Sequence, residues 1–197
     1  MKEFVQTIPC TTYSGVSIYY GEPTRTRILE ADLIHHLQDR RYNGAIDVSI
    51  LQHLALCVRL ARSRGYGEVQ TACCAVHDIH EAYLRDIPAG LKQLLPDYRR
   101  LEEIWEAHIW NVAGLSMTPD NVEAVKRIDQ LALVIEMEYH SHPLLSVAEG
   151  YVELKAELGD ARIIGELDLR SGCEWGIISD AILSGGIRFW ENNPWDE

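Results

Sequence analysis

No CxxC pair occurs in this chain, and its five cysteines are odd in number. That argues against a disulfide framework. Cys57, Cys73 and Cys74 lie in apolar stretches of helical character and read as small core residues of a chain kept in a reducing compartment. No stretch is long and apolar enough to cross a membrane, and the opening "MKEFVQTIPC" has no signal-peptide apolar run. The expected location is therefore cytoplasmic. Positive charge is scarce, with 18 Lys and Arg against 30 Asp and Glu, a net charge of -12. A broad basic face for nucleic-acid polymers is excluded on that balance. A local pocket for one phosphorylated ligand is not. Internal repeats and low-complexity linkers are also lacking.

What remains is 47% apolar over 197 residues, enough for one domain spanning 1–197 with a real core. Residues 11–22, "TTYSGVSIYYGE", read as a short hairpin or extended arm. Helical periodicity begins near Arg27. Ser49 is a plausible N-cap for 49–63, which is apolar on most sides and so expected to be central. Further helices are expected over 68–84, 97–113 and 120–139, the last opening at Thr118-Pro119. The C-terminal third reads as helices interrupted by glycines. The expected class is all-α, a compact helical bundle with an N-terminal arm.

Several titratable groups sit where an apolar helix should bury them. His53 has Ile50, Leu54 and Cys57 as helical neighbours. Asp129 borders a stripe of Val125, Ile128 and Ala132. An ionised carboxylate there is costly unless paired or bound to a cation. Lys126 and Arg127 are candidate salt-bridge partners, and a cation is the other reading. In "AVHDIHEAYLRDIPAGLK", Glu81 follows His77 by four residues and Asp78 by three, which on a helix sets it beside both. A divalent cation would account for such a cluster. Five other histidines, His35, His36, His80, His140 and His142, are weighed as a second metal site against ordinary polar positions, with "YHSHP" read as a polar turn.

The string "HDIHEAYLRDIPAGLKQLLPDYRRLEE", with the earlier "TYSG" and "RRYNG…SILQH", resembles the HD-domain phosphohydrolases. Within them it is similar to the compact YfbR-like 5′-deoxynucleotidase branch, and to the small viral dATP triphosphohydrolases called DatZ. The likeness covers roughly Thr12 to Glu138. It implies an HD-domain bundle holding a divalent ion (Co, Mn, Zn or Mg) on His53, His77, Asp78 and Asp129. It also implies catalytic roles for Glu81 and Asp86, and substrate contacts from Arg41, Tyr42, Asn43, Asp86 and Lys92. Ala45 stands where many members carry a histidine.

The resemblance implies a metal-dependent deoxynucleotide phosphohydrolase. The leading expectation is a dATP triphosphohydrolase releasing deoxyadenosine and triphosphate. The alternatives are a 5′-deoxynucleotidase acting on dNMPs and a non-catalytic nucleotide-binding protein. A phage or bacterial origin, a homo-oligomer, a small-molecule substrate and the cytoplasm (the host's, for a virus) complete the expectation.

Overall fold

Ser49 decides where the central helix starts. Its Oγ accepts from the Gln52 backbone N–H at 3.1 Å, and Gln52 Oε1 accepts from the Ser49 N–H at 2.9 Å. This reciprocal capping box satisfies two N–H groups that would otherwise lack intrahelical partners. In the computed structural model, which describes residues 10–38, 47–139, 151–158 and 174–185, the helix then runs Ile50–Ser63. It stops at a Schellman turn. Gly65 takes φ +75°, Tyr66 N–H bonds Ala61 O at 3.0 Å and Gly65 N–H bonds Arg62 O at 3.1 Å. Only glycine enters that left-handed region without steric cost.

An antiparallel pair, β1 (Cys10–Thr11) and β2 (Ser17–Ile18), forms the expected arm, with Cys10 opposite Ile18. Then come α1 (Glu30–His36), α2 (Ile50–Ser63), α3 (Glu68–Val76), α4 (Glu81–Leu84) and α5 (Ala89–Lys92). They are followed by α6 (Pro96–Val112), α7 (Pro119–Tyr139), α8 (Tyr151–Leu158) and α9 (Glu174–Ser184). The architecture is all-α with a minimal sheet, as the periodicity implies. Among the described residues, no helix is long and apolar enough to cross a membrane.

Helix α2 is buried on most sides because α3, α7 and α9 all pack against it. Helix α9 contributes Ile178, Ala181 and Ile182 to the core, and α8 covers α7 with Leu154. Cys57, Cys73 and Cys74 are buried free thiols, in line with their reading as core residues. Trp105 of α6 stacks on Tyr83 with ring centroids 4.6 Å apart, and its indole N–H reaches Tyr20 O at 3.0 Å. Each such large side chain removed from water stabilises the fold by about 1.5–3 kcal/mol. The arm is held by Asp32, whose buried Oδ1 accepts from Ser14 N–H at 2.7 Å.

One expectation fails. Residues 68–84 are not a single helix: α3 ends at Val76, residues 77–80 form a tight turn, and α4 starts at Glu81. The physical cause is local. Bonds of the i→i+3 kind run from Ile79 to Val76, Glu81 to Asp78, Ala82 to Ile79 and Tyr83 to His80. The His77 and His80 rings also take carbonyls three residues back. Side chains competing for backbone carbonyls tighten a helix into the three-residue turn.

The cap on α2 yields a stability prediction. Ser49→Ala is expected to cost about 1 kcal/mol, read as a lower urea-unfolding midpoint with an unchanged slope.

Candidate metal centre

Three packed helical segments deliver the polar groups. Helix α2 supplies His53 and, one turn later, Cys57. The turn after α3 supplies His77 and Asp78. Helix α7 supplies Asp129 and, two turns later on the same face, Glu136. His53 is 0% exposed, and its ring lies at the point where these segments meet.

The distances define the meeting point. His53 Nε2 lies 3.3 Å from His77 Nε2, 3.2 Å from Asp129 Oδ1 and 3.7 Å from Asp78 Oδ2. Asp78 Oδ2 is 3.4 Å from His77 Nε2. Cys57 Sγ is 3.4 Å from His53 Nε2. On the far side of the ring, His53 Nδ1 sits 2.7 Å from Glu136 Oε1. His77 Nδ1 donates to the Cys74 carbonyl at 3.0 Å, so in the neutral ring Nε2, facing His53, is the lone-pair nitrogen. His53, Cys57 and His77 thus offer three ligand atoms close enough together to hold a metal ion. The carboxylates of Asp78 and Asp129 reach the same nitrogens.

Burial and charge compete at each group. Burial works against a charged His77, yet Asp78 beside it outweighs that and raises the imidazole above its ordinary value. Burial would raise the Asp129 carboxyl, but the hydrogen bond and charge of His53, with His77, hold it below the usual carboxylate range. Burial pushes the Cys57 thiol up, against the pull of His53. It therefore sits as a neutral, packed thiol.

A second cluster adjoins the first. Glu81, 4% exposed, opens α4. Lys92 Nζ lies 2.6 Å from Glu102 Oε1, 3.7 Å from Asp86 Oδ1 and 3.9 Å from Glu81 Oε1. Burial alone would lower Lys92. The Glu102 hydrogen bond, with Glu81 and Asp86, raises it, so it stays an ammonium. Tyr98 donates to Arg85 O at 2.5 Å. Arg85 itself takes φ +70°, an uncommon value for a side-chain-bearing residue. The backbone entering Asp86 is thereby tied to α6. Glu106, one turn past Glu102, is raised by burial first and then by Asp78 and the neighbouring acids, against the pull of His77.

The structure thus brings His53, His77, Asp78 and Asp129 together, with Glu81, Asp86 and Lys92 alongside. Arg41, Tyr42 and Asn43 lie outside the described residues, as do His140 and His142. Asp129 faces His53, while its proposed partner Arg127 pairs with Glu157 of α8. His35 stacks on Tyr13 at 4.1 Å, and His36 accepts from Tyr13 N–H at 3.1 Å, so both serve the arm. Sequence reasoning missed Glu136 and Glu102. Glu136 carried a signal, an acid inside the apolar run "ALVIEMEY", seven residues past Asp129. Glu102 carried none, since nothing local ties it to Lys92.

No family model matches the chain. A curated protein of Escherichia coli strain K12, named uncharacterized protein YfdR, is 36% identical over 128 residues. The match spans 64% of this chain and 68% of YfdR. The chain belongs to the YfdR family. YfdR's name carries no activity, so the chemistry of the YfdR family must be argued from the side chains themselves.

His80 gives a pH prediction. It is buried, and burial pulls its imidazole down to about 4 despite Asp78 and a bond to the His77 carbonyl. In the unfolded chain the same ring titrates near 6.5. Between these values the unfolded state binds the extra proton, so stability present above about pH 6.5 is lost as pH falls toward 4. The loss reaches about 3 kcal/mol at most. His80→Gln is expected to flatten that part of the stability–pH curve, measured by urea unfolding at stepped pH.

Proposed function

We propose that this protein is a metal-dependent phosphohydrolase acting on a deoxynucleotide, the activity implied by its resemblance to the HD-domain phosphohydrolases. The observation that carries the reading is the convergence of His53 Nε2, His77 Nε2, Asp78 Oδ2 and Asp129 Oδ1 from three segments. Like-charged oxygens and two imidazole lone pairs repel one another when drawn together. A divalent cation removes that repulsion, and two imidazoles with two carboxylates suit Co, Mn, Zn or Mg. These four side chains would hold it, with Cys57 as a packed thiol beside them. When bound, such an ion contributes Lewis acidity toward a phosphoryl oxygen and toward water.

The remaining steps belong to the chain's own residues. Glu81 orients the attacking water and takes its proton. Lys92 offsets phosphate charge as a point cation. Asp86, tied down through the Tyr98–Arg85 contact, accepts a hydrogen bond from the sugar 3′-hydroxyl. Arg41, Tyr42 and Asn43 complete the substrate contacts on the strength of the resemblance, Arg41 on phosphate and Tyr42 on the base.

For dATP, water attacks the α-phosphorus, the bond to the 5′-oxygen breaks, and deoxyadenosine and triphosphate leave. A monophosphate substrate is the second reading, and one feature favours it. Lys92 is already countered by Glu102, Asp86 and Glu81, whereas a triphosphate needs several cations along its length. The triphosphate reading assigns that work to Arg41, Lys92 and Arg85 together.

Purified protein with Mn²⁺, incubated with dATP and separately with dAMP, tests both readings by chromatography. Deoxyadenosine plus intact triphosphate from dATP is the expected outcome. Phosphate from dAMP alone selects the second reading, and no product from either leaves a binding protein. Glu81→Gln is expected to lower kcat by about 10²–10⁴-fold while metal content, read by elemental analysis, stays unchanged.

A further inference from the structure

Glu136 is the acid that the catalytic scheme leaves idle. It sits in "LALVIEMEY" on α7, and it is 1% exposed. An ionised carboxylate in apolar surroundings costs several kcal/mol unless it is hydrogen-bonded. Its partner is the fully buried imidazole of His53, 2.7 Å away, from a helix 83 residues earlier in the chain. That is shorter than its contacts with His77, Cys57, Asp78 and Asp129.

A carboxylate can only accept, so the proton between the two belongs to His53 Nδ1. In the neutral form that a metal ligand requires, the ring then carries its lone pair on Nε2, the nitrogen that faces Asp129, His77 and Asp78. His77 is set the same way by different means, its Nδ1 donating to the Cys74 carbonyl. Both rings therefore present Nε2 to one point. Glu136 reaches the Nδ1 side of His53 from α7, the helix that also carries Asp129 two turns earlier. One helix thus supplies a group on each side of the His53 ring.

We propose that Glu136 is a positioning residue. It fixes the tautomer and ring plane of His53 and strengthens Nε2 as a donor to a divalent cation. The role rests on the metal-centre reading above. A carboxylate behind a ligating imidazole raises its basicity and restricts its rotation, and losing it typically costs 10- to 100-fold in metal affinity.

Two variants separate charge from geometry. Glu136→Gln keeps an acceptor oxygen and removes the charge. Glu136→Leu removes both. Long-range ¹H–¹⁵N NMR of full-length, metal-stripped protein reads the His53 tautomer, and equilibrium dialysis against Mn²⁺ and Zn²⁺ reads affinity. The wild type is expected to carry the proton on Nδ1. The Leu variant is expected to populate the Nε2–H form and to bind about 10- to 100-fold more weakly. The Gln variant is expected to keep the tautomer with a smaller loss. Wild-type His53 protonated on Nε2 with a bare Nδ1 overturns the proposal. So does a Leu variant with wild-type affinity and tautomer. Should the Leu variant fail to fold, the wild-type tautomer and the Gln affinity still decide. Wild-type protein that binds neither Mn²⁺ nor Zn²⁺ despite Nδ1–H overturns the metal centre, and leaves the His53–Glu136 bond as a core contact.

Discussion

A single desolvated imidazole organises this molecule. His53 lies on the central helix with no exposed surface, and both of its ring nitrogens face oxygen atoms from α7. A polar ring in that position destabilises the fold unless every hydrogen-bonding group finds a partner. The partners come from elements 24 to 83 residues away. The packing of α2, α3 and α7 is thus tied to the same side chain that centres the proposed chemistry. Helix α9 covers α2 and α3 and buries apolar side chains there.

Charge explains the rest of the arrangement. Asp78, Asp129, Glu81, Asp86, Glu102 and Glu136 cluster around two imidazoles and one ammonium. Acids gathered at low dielectric repel strongly, and their burial is sustained only by cations and hydrogen bonds. Lys92 answers for Glu81, Asp86 and Glu102, and His53 is placed between Glu136 and Asp129. A divalent ion at the imidazole nitrogens would relieve what those groups leave uncompensated. The overall acidity of the chain and a site for a phosphorylated ligand are therefore compatible, because the local balance near the ion decides.

Local signals were legible in the sequence and distant pairings were not. Ser49 as a cap, Thr118-Pro119 as a helix start and His53 as an inward residue follow from spacing alone, and each is found. The resemblance named four side chains that do meet in space. Arg127, like Lys126, is a candidate partner of Asp129 as a neighbour on one helix, but Arg127 pairs with Glu157 on α8. The Lys92–Glu102 and His53–Glu136 contacts depend on which helix faces which. Periodicity tells which face of a helix is buried and not what lies against it. The break after α3 was missed for another reason. The apolar pattern runs on to Leu84, and a shift from four-residue to three-residue bonding changes the twist without changing the burial.

That shift in twist matters for the site. In a three-residue turn, side chains at i and i+3 eclipse one another. His77 then stands over His80, Asp78 over Glu81, and Ile79 over Ala82. Each edge has a different task. Ile79 and Ala82 are buried in the core and anchor the turn. His77 and His80 each spend Nδ1 on a backbone carbonyl, which fixes their rings. The edge that remains carries two carboxylates, Asp78 toward the imidazoles and Glu81 toward Lys92. A regular α-helix would rotate Glu81 away from Asp78 by a further 60° or so over three residues. The tight turn brings the proposed ligand and the proposed base onto one line.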